Sequence, residues 1–296
     1  MSSMAVVRAS RPNFLILAPL CVWLGIALAW RQPVEVQGLD IALVMLGALL
    51  AHAAINLLNE YQDFHSGLDL MTRRTPFSGG SGALPEEPTA APRVLATAIA
   101  MLAGVVMVGG YFLWLRGLPI SIVGLGGLAL VVGYTRWITR SPWACLLAPG
   151  LGFGPVMVLG TMLALGGSPG MSAILVALVV MLLVSELLLI NQFPDVEADR
   201  RVGRRHVPVV LGMAAAARIV VALLLGAYLL LVAGCVAGFL PPSGLLALLP
   251  SPIALWIAWR LPRVLGDRSG LSRVLGVNVA TLLTTLGFLG VGLGWG

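Results

Sequence analysis

Two short acidic stretches, about 130 residues apart, carry most of the chemistry available to this 296-residue chain. The first reads Asn56-Leu-Leu-Asn59-Glu60-Tyr-Gln-Asp63 and continues through Gly67 to Asp69; the second reads Asn191-Gln-Phe-Pro-Asp195-Val-Glu-Ala-Asp199. On an α-helix, Asn56, Asn59/Glu60 and Asp63 recur at i, i+3/i+4 and i+7, and Asn191, Asp195 and Asp199 at i, i+4 and i+8, so each set lines one face, while Pro194 allows a kink or a new helix start just before Asp195. Asp and Asn offer hard oxygen ligands, and Mg2+ favours one or two carboxylates with waters and phosphate oxygens over an all-protein cage. Arginines adjoin both stretches, Arg73 and Arg74 after the first and Arg200, Arg201, Arg204 and Arg205 after the second. Guanidinium groups hold phosphate oxygens through paired hydrogen bonds. Acid clusters with adjacent arginines read as a site for a diphosphate held by magnesium. The intervening Gly79-Gly80-Ser81-Gly82 can add backbone N–H donors.

The plainer reading is that these are charged loop ends, pairing with one another in a lipid headgroup region. Two clusters of matching spacing argue for the site instead. Other residues stay open at this level. Glu186 lies inside an apolar run and must face a cavity or a partner. His52, one turn before Asn56, suits a core hydrogen bond or a substrate contact. Tyr134, Arg136 and Arg140 suit either an interfacial anchor with topogenic charge or a phosphate contact. His65 and His206 belong to no metal-binding spacing.

The elements that must position these groups are membrane helices. The chain is 59% hydrophobic and only 10% charged, with mean hydropathy +0.99. That is more apolar side chain than a soluble globule of this size can hide. Apolar runs fall near 13–30, 40–60, 92–114, 118–135, 143–165, 171–193, 208–238, 243–259 and 271–294. The expected fold is an all-α polytopic bundle of nine transmembrane helices forming one domain over 1–296. Ala27-Leu28-Ala29 resembles a signal-peptidase site, but the first run is read as an uncleaved span. If the spans alternate, 16 of the 18 arginines fall on the side of the N-terminus and only Arg31 and Arg116 on the other. The positive-inside rule then places the N-terminus and both acidic stretches at the cytoplasmic face of an inner or plasma membrane. Basic residues confined to short loops set topology, and nucleic acid is not an expected partner. Cys21, Cys145 and Cys235 are widely spaced and read as free thiols.

With these residues in place, the chain resembles the intramembrane prenyltransferases of the UbiA superfamily. Their first signature, N-D-x-x-D followed by G-x-D, is similar to Asn59-Glu60-Tyr-Gln-Asp63 with Gly67-Leu-Asp69, and their D-x-x-x-D to Asp195–Asp199. The branch most resembled transfers a polyprenyl chain to 1,4-dihydroxy-2-naphthoate. Its N-x-x-N spacing, glycine-rich loop and basic residue after G are matched by Asn56/Asn59, Gly79–Gly82 and Gly203-Arg204. Glu60 stands where the family has Asp, and Arg205-His206-Val207 departs from the usual continuation.

The resemblance implies a Mg2+-dependent transferase acting on an isoprenyl diphosphate and an aromatic acceptor, with lipid around it. The implied metal set is Asn59, Glu60, Asp63, Asp195 and Asp199. Asn56, Arg73, Arg74, Tyr134, Arg140, Asn191, Arg204 and Arg205 are implied diphosphate contacts. Asp63 and Asp195 are implied catalytic groups, and Asp69, Glu186 and His52 are candidate bases. Two rivals remain: cyclisation of the isoprenoid without an acceptor, and a transporter. Transport predicts polar residues through the full bilayer depth, whereas the polar chemistry here is confined to one face.

Overall fold

The computed structural model describes residues 2–72, 74, 75, 78–134 and 137–295, and every regular element among them is helical. In chain order the α-helices are α1 (Ser2–Ala9), α2 (Leu17–Trp30), α3 (Gly38–His65), α4 (Leu68–Met71), α5 (Ala83–Glu86), α6 (Ala91–Arg116) and α7 (Leu118–Gly133). Then come α8 (Pro142–Leu151), α9 (Gly160–Ala164), α10 (Met171–Asn191), α11 (Val196–Arg201), α12 (Val207–Leu211), α13 (Met213–Val236), α14 (Ser251–Arg260) and α15 (Arg268–Trp295). A π-helical turn, Gly152–Leu159, joins α8 to α9, and a 3-10 turn, Pro242–Leu248, precedes α14.

The apolar runs are all helical, but not all are single straight rods. Among the described residues, seven helical segments are long and apolar enough to cross a membrane. An eighth candidate is formed if Ser3–Phe14 and α2, bent by 49°, act together. The run at 118–135 yields only the 16-residue α7. Gly212, at φ 81, divides the run at 208–238 into α12 and α13, because a left-handed backbone cannot continue an α-helix. Pro155 lacks the N–H that an unbroken helix would use, and the surrounding chain winds into the π turn.

Helix α10 is the axis of the bundle: 67% of its apolar window is buried, against 11% for α6. It packs on α8, the π turn, α13 and α15. Close approach on one side depends on Gly150 and Gly154, where an added Cβ would collide with the α10 backbone at Met181 and Ala177. The outer surface carries large apolar side chains such as Met107, Ile122, Leu125 and Leu229, each about 70% exposed. Such a surface suits hydrocarbon and would aggregate in water.

At the end of the bundle where α3 begins, buried Asp40 accepts from Arg116 Nη2 and from the Tyr111 hydroxyl, both at 3.0 Å. Arg116 Nε also donates to Ala164 O at 2.7 Å. These bonds tie α3, α6 and α9 together. The acidic stretches lie at the opposite ends of α3 and α10.

Candidate active site

The last two turns of α3 carry the first acidic stretch to the mouth of a cavity of about 400 Å3. Asn56, Asn59 and Asp63 line it, and Gly67, at φ 77, turns the chain so that Asp69 in α4 lines it too. From the other side come Asn191 at the end of α10, Asp195 and Asp199, followed by Arg204 and His206. The expectation of one helical face for Asn191, Asp195 and Asp199 is corrected: α10 stops at Asn191, a 3-10 turn covers Phe193–Asp195, and α11 starts at Val196. Pro194 is the physical reason, since its ring and missing N–H break the α-helical ladder. The break still leaves all three side chains on the cavity.

The two stretches are joined through Arg204. Its Nη2 pairs with Asp63 Oδ1 and its Nη1 with Asp199 Oδ1 at 3.1 Å. Burial works against the guanidinium charge, but Asp63 and Asp199 outweigh it and its pKa is raised. The other oxygen of Asp199 is 2.6 Å from His206 Nε2. Asp195 accepts from the Gly79 backbone N–H at 3.1 Å through Oδ2, while Oδ1 has no protein partner. Asp69 Oδ2 and Asn191 Oδ1 are likewise buried without a partner. Burial pushes the Asp69 carboxyl up to about 7, with Glu60 and Asp63 adding to the rise and Arg11 and Arg204 opposing it.

The roof of the mouth is the glycine-rich loop. Gly79 and Gly80 have φ 84 and 74, a conformation that side-chain-bearing residues rarely adopt. A Cβ on Gly80 would stand 2.6 Å from Asp69 Oδ1, so the bare backbone is needed for the loop to close over that carboxylate.

Behind the polar mouth the walls are apolar: Leu102 and Val105 from α6, Gly124 and Leu128 from α7, Phe153 and Val156 from the π turn, Leu187 from α10 and Leu282 from α15. His52 stands deeper on the α3 wall, edge-on to Phe153 at 4.9 Å. Tyr134 and Cys145 also line the cavity.

Several expected site residues lie elsewhere. Glu60 is wholly buried but off the cavity, its carboxylate turned toward Ser81, Ala83 and Arg11. Glu186 is buried on the α15 side of α10, where Asn278 Nδ2 donates to its Oε2 at 3.0 Å. Arg74 pairs with Glu86 at 2.5 Å, and Arg8 holds the same carboxylate at 2.6 Å. Together these arginines bring Glu86 down to about 2. Arg140 and Arg205 are exposed, and what Arg205 contributes is a backbone N–H to Thr139 O at 3.1 Å. Arg73 and Arg136 lie outside the described residues. Arg11 went unrecognised in the sequence, where it reads only as topogenic charge. Asn56 Nδ2 donating to Ser10 O at 2.9 Å helps hold that segment against α3.

The donor set fits a hard divalent cation that arrives with phosphate oxygens of its own. The facing groups are carboxylates and amides, and Asp69, Asp195 and Asn191 each keep a buried oxygen without a protein partner. Among the described residues no three His, Cys, Asp or Glu groups are gathered closely enough to hold an ion by themselves. Mg2+ commonly completes its shell with water and substrate phosphate, so a shared protein–diphosphate site is the consistent arrangement.

The comparisons with known proteins agree with this architecture. The chain is 27% identical over 239 residues to the 1,4-dihydroxy-2-naphthoate octaprenyltransferase of Bacillus subtilis (strain 168), covering 79% of this chain and 75% of the relative. It is 30% identical over 214 residues to the protein of the same name from Haemophilus influenzae (strain ATCC 51907 / DSM 11121 / KW20 / Rd), covering 69% and 68%. The fold is similar to that of a UbiA homologue from Archaeoglobus fulgidus solved with GPP and Mg2+, at TM-score 0.66 and 13% identity over 96% of this chain and 99% of that one. The model of the UbiA prenyltransferase family matches residues 18–282, and the chain belongs to that family as an integral membrane prenyltransferase.

Proposed function

We propose that this enzyme transfers an isoprenyl group from an isoprenyl diphosphate to 1,4-dihydroxy-2-naphthoate, with Mg2+, at the cytoplasmic face of the membrane. The observation that carries the reading is the convergence of Asn59, Asp63 and Asp69 with Asn191, Asp195 and Asp199 at the polar mouth of an otherwise apolar cavity. The name shared by the two relatives supports the naphthoate acceptor, and the arginine asymmetry between loops supports the orientation.

In this reading Asn59, Asp63, Asp195 and Asp199 hold the cation, which supplies electrophilic stabilisation of the departing diphosphate. Asp69 and Asn191 complete the polar rim. Arg204 neutralises the diphosphate, exchanging part of its bond to Asp63 for phosphate oxygens. The allylic C–O bond breaks and the diphosphate leaves with the electron pair. An electron-rich ring carbon of the acceptor then forms the new C–C bond, with loss of the acceptor carboxylate as CO2. The apolar walls hold the isoprenoid tail and keep water from the allylic carbocation that this cleavage leaves.

The test is purified enzyme with Mg2+ and geranylgeranyl or longer diphosphate, with and without 1,4-dihydroxy-2-naphthoate, followed by mass spectrometry. A prenylated naphthoquinol is expected, lost in Asp63→Ala and Asp195→Ala. A cyclic product formed without acceptor, or diphosphate release unchanged by both substitutions, would overturn the reading.

A further inference from the structure

We infer that Glu60, although it sits inside the acidic signature, is a positioning residue that pins the glycine-rich loop over the cavity and is not a metal ligand. The inference rests on reading that cavity as a diphosphate site.

The argument is one of lone pairs. An ionised carboxylate offers about four acceptor positions. At Glu60 four donors face them: Ser81 Oγ at 2.5 Å and the Ala83 N–H at 3.2 Å on Oε1, with the Ser81 N–H at 3.0 Å and Arg11 Nη2 at 3.4 Å on Oε2. The side chain is fully buried and does not line the cavity. Asp195 presents the opposite case, with one oxygen on the Gly79 N–H and the other without a partner on the cavity wall.

The helix explains how neighbouring acids divide the work. Glu60 and Asp63 are three residues apart, about 300° around the helix, so their directions differ by about 60°. That offset lets Asp63 face the cavity while Glu60 faces the joint between the loop and the N-terminal segment. The consequence falls on Ser78, Gly79 and Gly80, which line the cavity and run directly into the Ser81–Ala83 stretch that Glu60 holds. Shortening Glu60 to Asp withdraws the carboxylate by one methylene from donors on a separate segment.

The test compares wild type with Glu60→Gln and Glu60→Asp by hydrogen exchange at the Ser81 and Ala83 amides. In parallel, Mn2+ binding is titrated in the presence of inorganic pyrophosphate, with Asp195→Asn as the control for a lost ligand. Expected is exchange about 10-fold faster or more at the Ser81 amide, because its charge-assisted hydrogen bond is lost, and a smaller rise at Ala83, whose N–H is shared with Ser81 Oγ at 3.0 Å. Mn2+ stoichiometry should stay unchanged, and KM for the isoprenyl diphosphate should rise more than kcat falls. Unchanged exchange, or loss of a bound Mn2+ in Glu60→Gln, would overturn the inference. Ser81→Ala removes a partner from the loop side and should speed exchange in the same direction even if the Glu60 variants fold poorly. If wild type binds no Mn2+ with pyrophosphate, the diphosphate reading fails, while the exchange comparison still judges the clamp.

Discussion

At the scale of single residues, the site is set by which oxygens are left without a protein partner. Asp63 and Asp199 are both engaged by Arg204, whereas Asp69, Asp195 and Asn191 keep buried oxygens that no protein group satisfies. Orphaned buried acceptors are costly, and a cation or its water shell is the natural complement. Asp69 gives this a pH dependence. Its carboxyl rises from an ordinary value of 3.8 to about 7, so the fold favours the protonated form and the group's contribution to stability declines as pH rises across that interval. Ionised Asp69 adds negative charge at the rim of the cation site, so affinity should rise with pH through the same region. Mn2+ affinity measured with pyrophosphate, after correction for the ionisation of pyrophosphate itself, is expected to increase between pH 6 and 8 in wild type and to increase less in Asp69→Asn.

At the scale of elements, the helix that carries the second stretch has two polar faces with different duties. The C-terminal end of α10 delivers Asn191 to the cavity, while Glu186, five residues earlier, turns toward Asn278 on α15. Glu186 Oε1 and Asn278 Oδ1 are both buried acceptors without a donor. A glutamine side chain keeps an oxygen to accept from Asn278 Nδ2 and brings N–H donors to a place that lacks them. Glu186→Gln should therefore retain activity and thermal stability, whereas Glu186→Ala should cost about 2 kcal/mol by leaving Asn278 unsatisfied. Parallel activity and melting measurements in detergent check this, and a Glu186→Gln enzyme that is stable but inactive would restore Glu186 to the chemistry.

At the scale of the whole molecule, polar anchors at both ends brace an apolar bundle. The far anchor is Asp40 with Arg116 and Tyr111, and the near one is the set of bonds joining α1, α3 and the glycine-rich loop through Glu60, Glu86 and Asn56. Breaking a buried pair strands a charge, while removing both partners relieves much of the cost. Asp40→Ala is expected to lower stability by about 2–3 kcal/mol, and Asp40→Ala/Arg116→Leu by less than that, with prenyl transfer in the native enzyme's temperature range largely kept. Thermal unfolding of the three proteins in one detergent measures it.

The helical membrane class, the positions of the apolar runs, the two acidic stretches and the resemblance to the family were legible in residue order alone, because hydropathy and signature spacing are properties of contiguous residues. Asn59, Asp63, Asp195, Asp199 and Arg204 stood out in the sequence as well, and the fold brings them to one cavity, the first two by helical spacing and the others by adjacency to the acidic stretch, because α10 stops at Asn191. Long-range packing is what turns Glu60 toward Ser81 and Arg11, brings Arg204 to Asp63 across 141 positions, and brings Glu186 to Asn278 across 92. Nothing local distinguishes Glu60 from Asp63. Which acid faces a cavity and which faces a loop depends on the segments that pack beside the helix, and that packing is fixed only when distant parts of the chain come together.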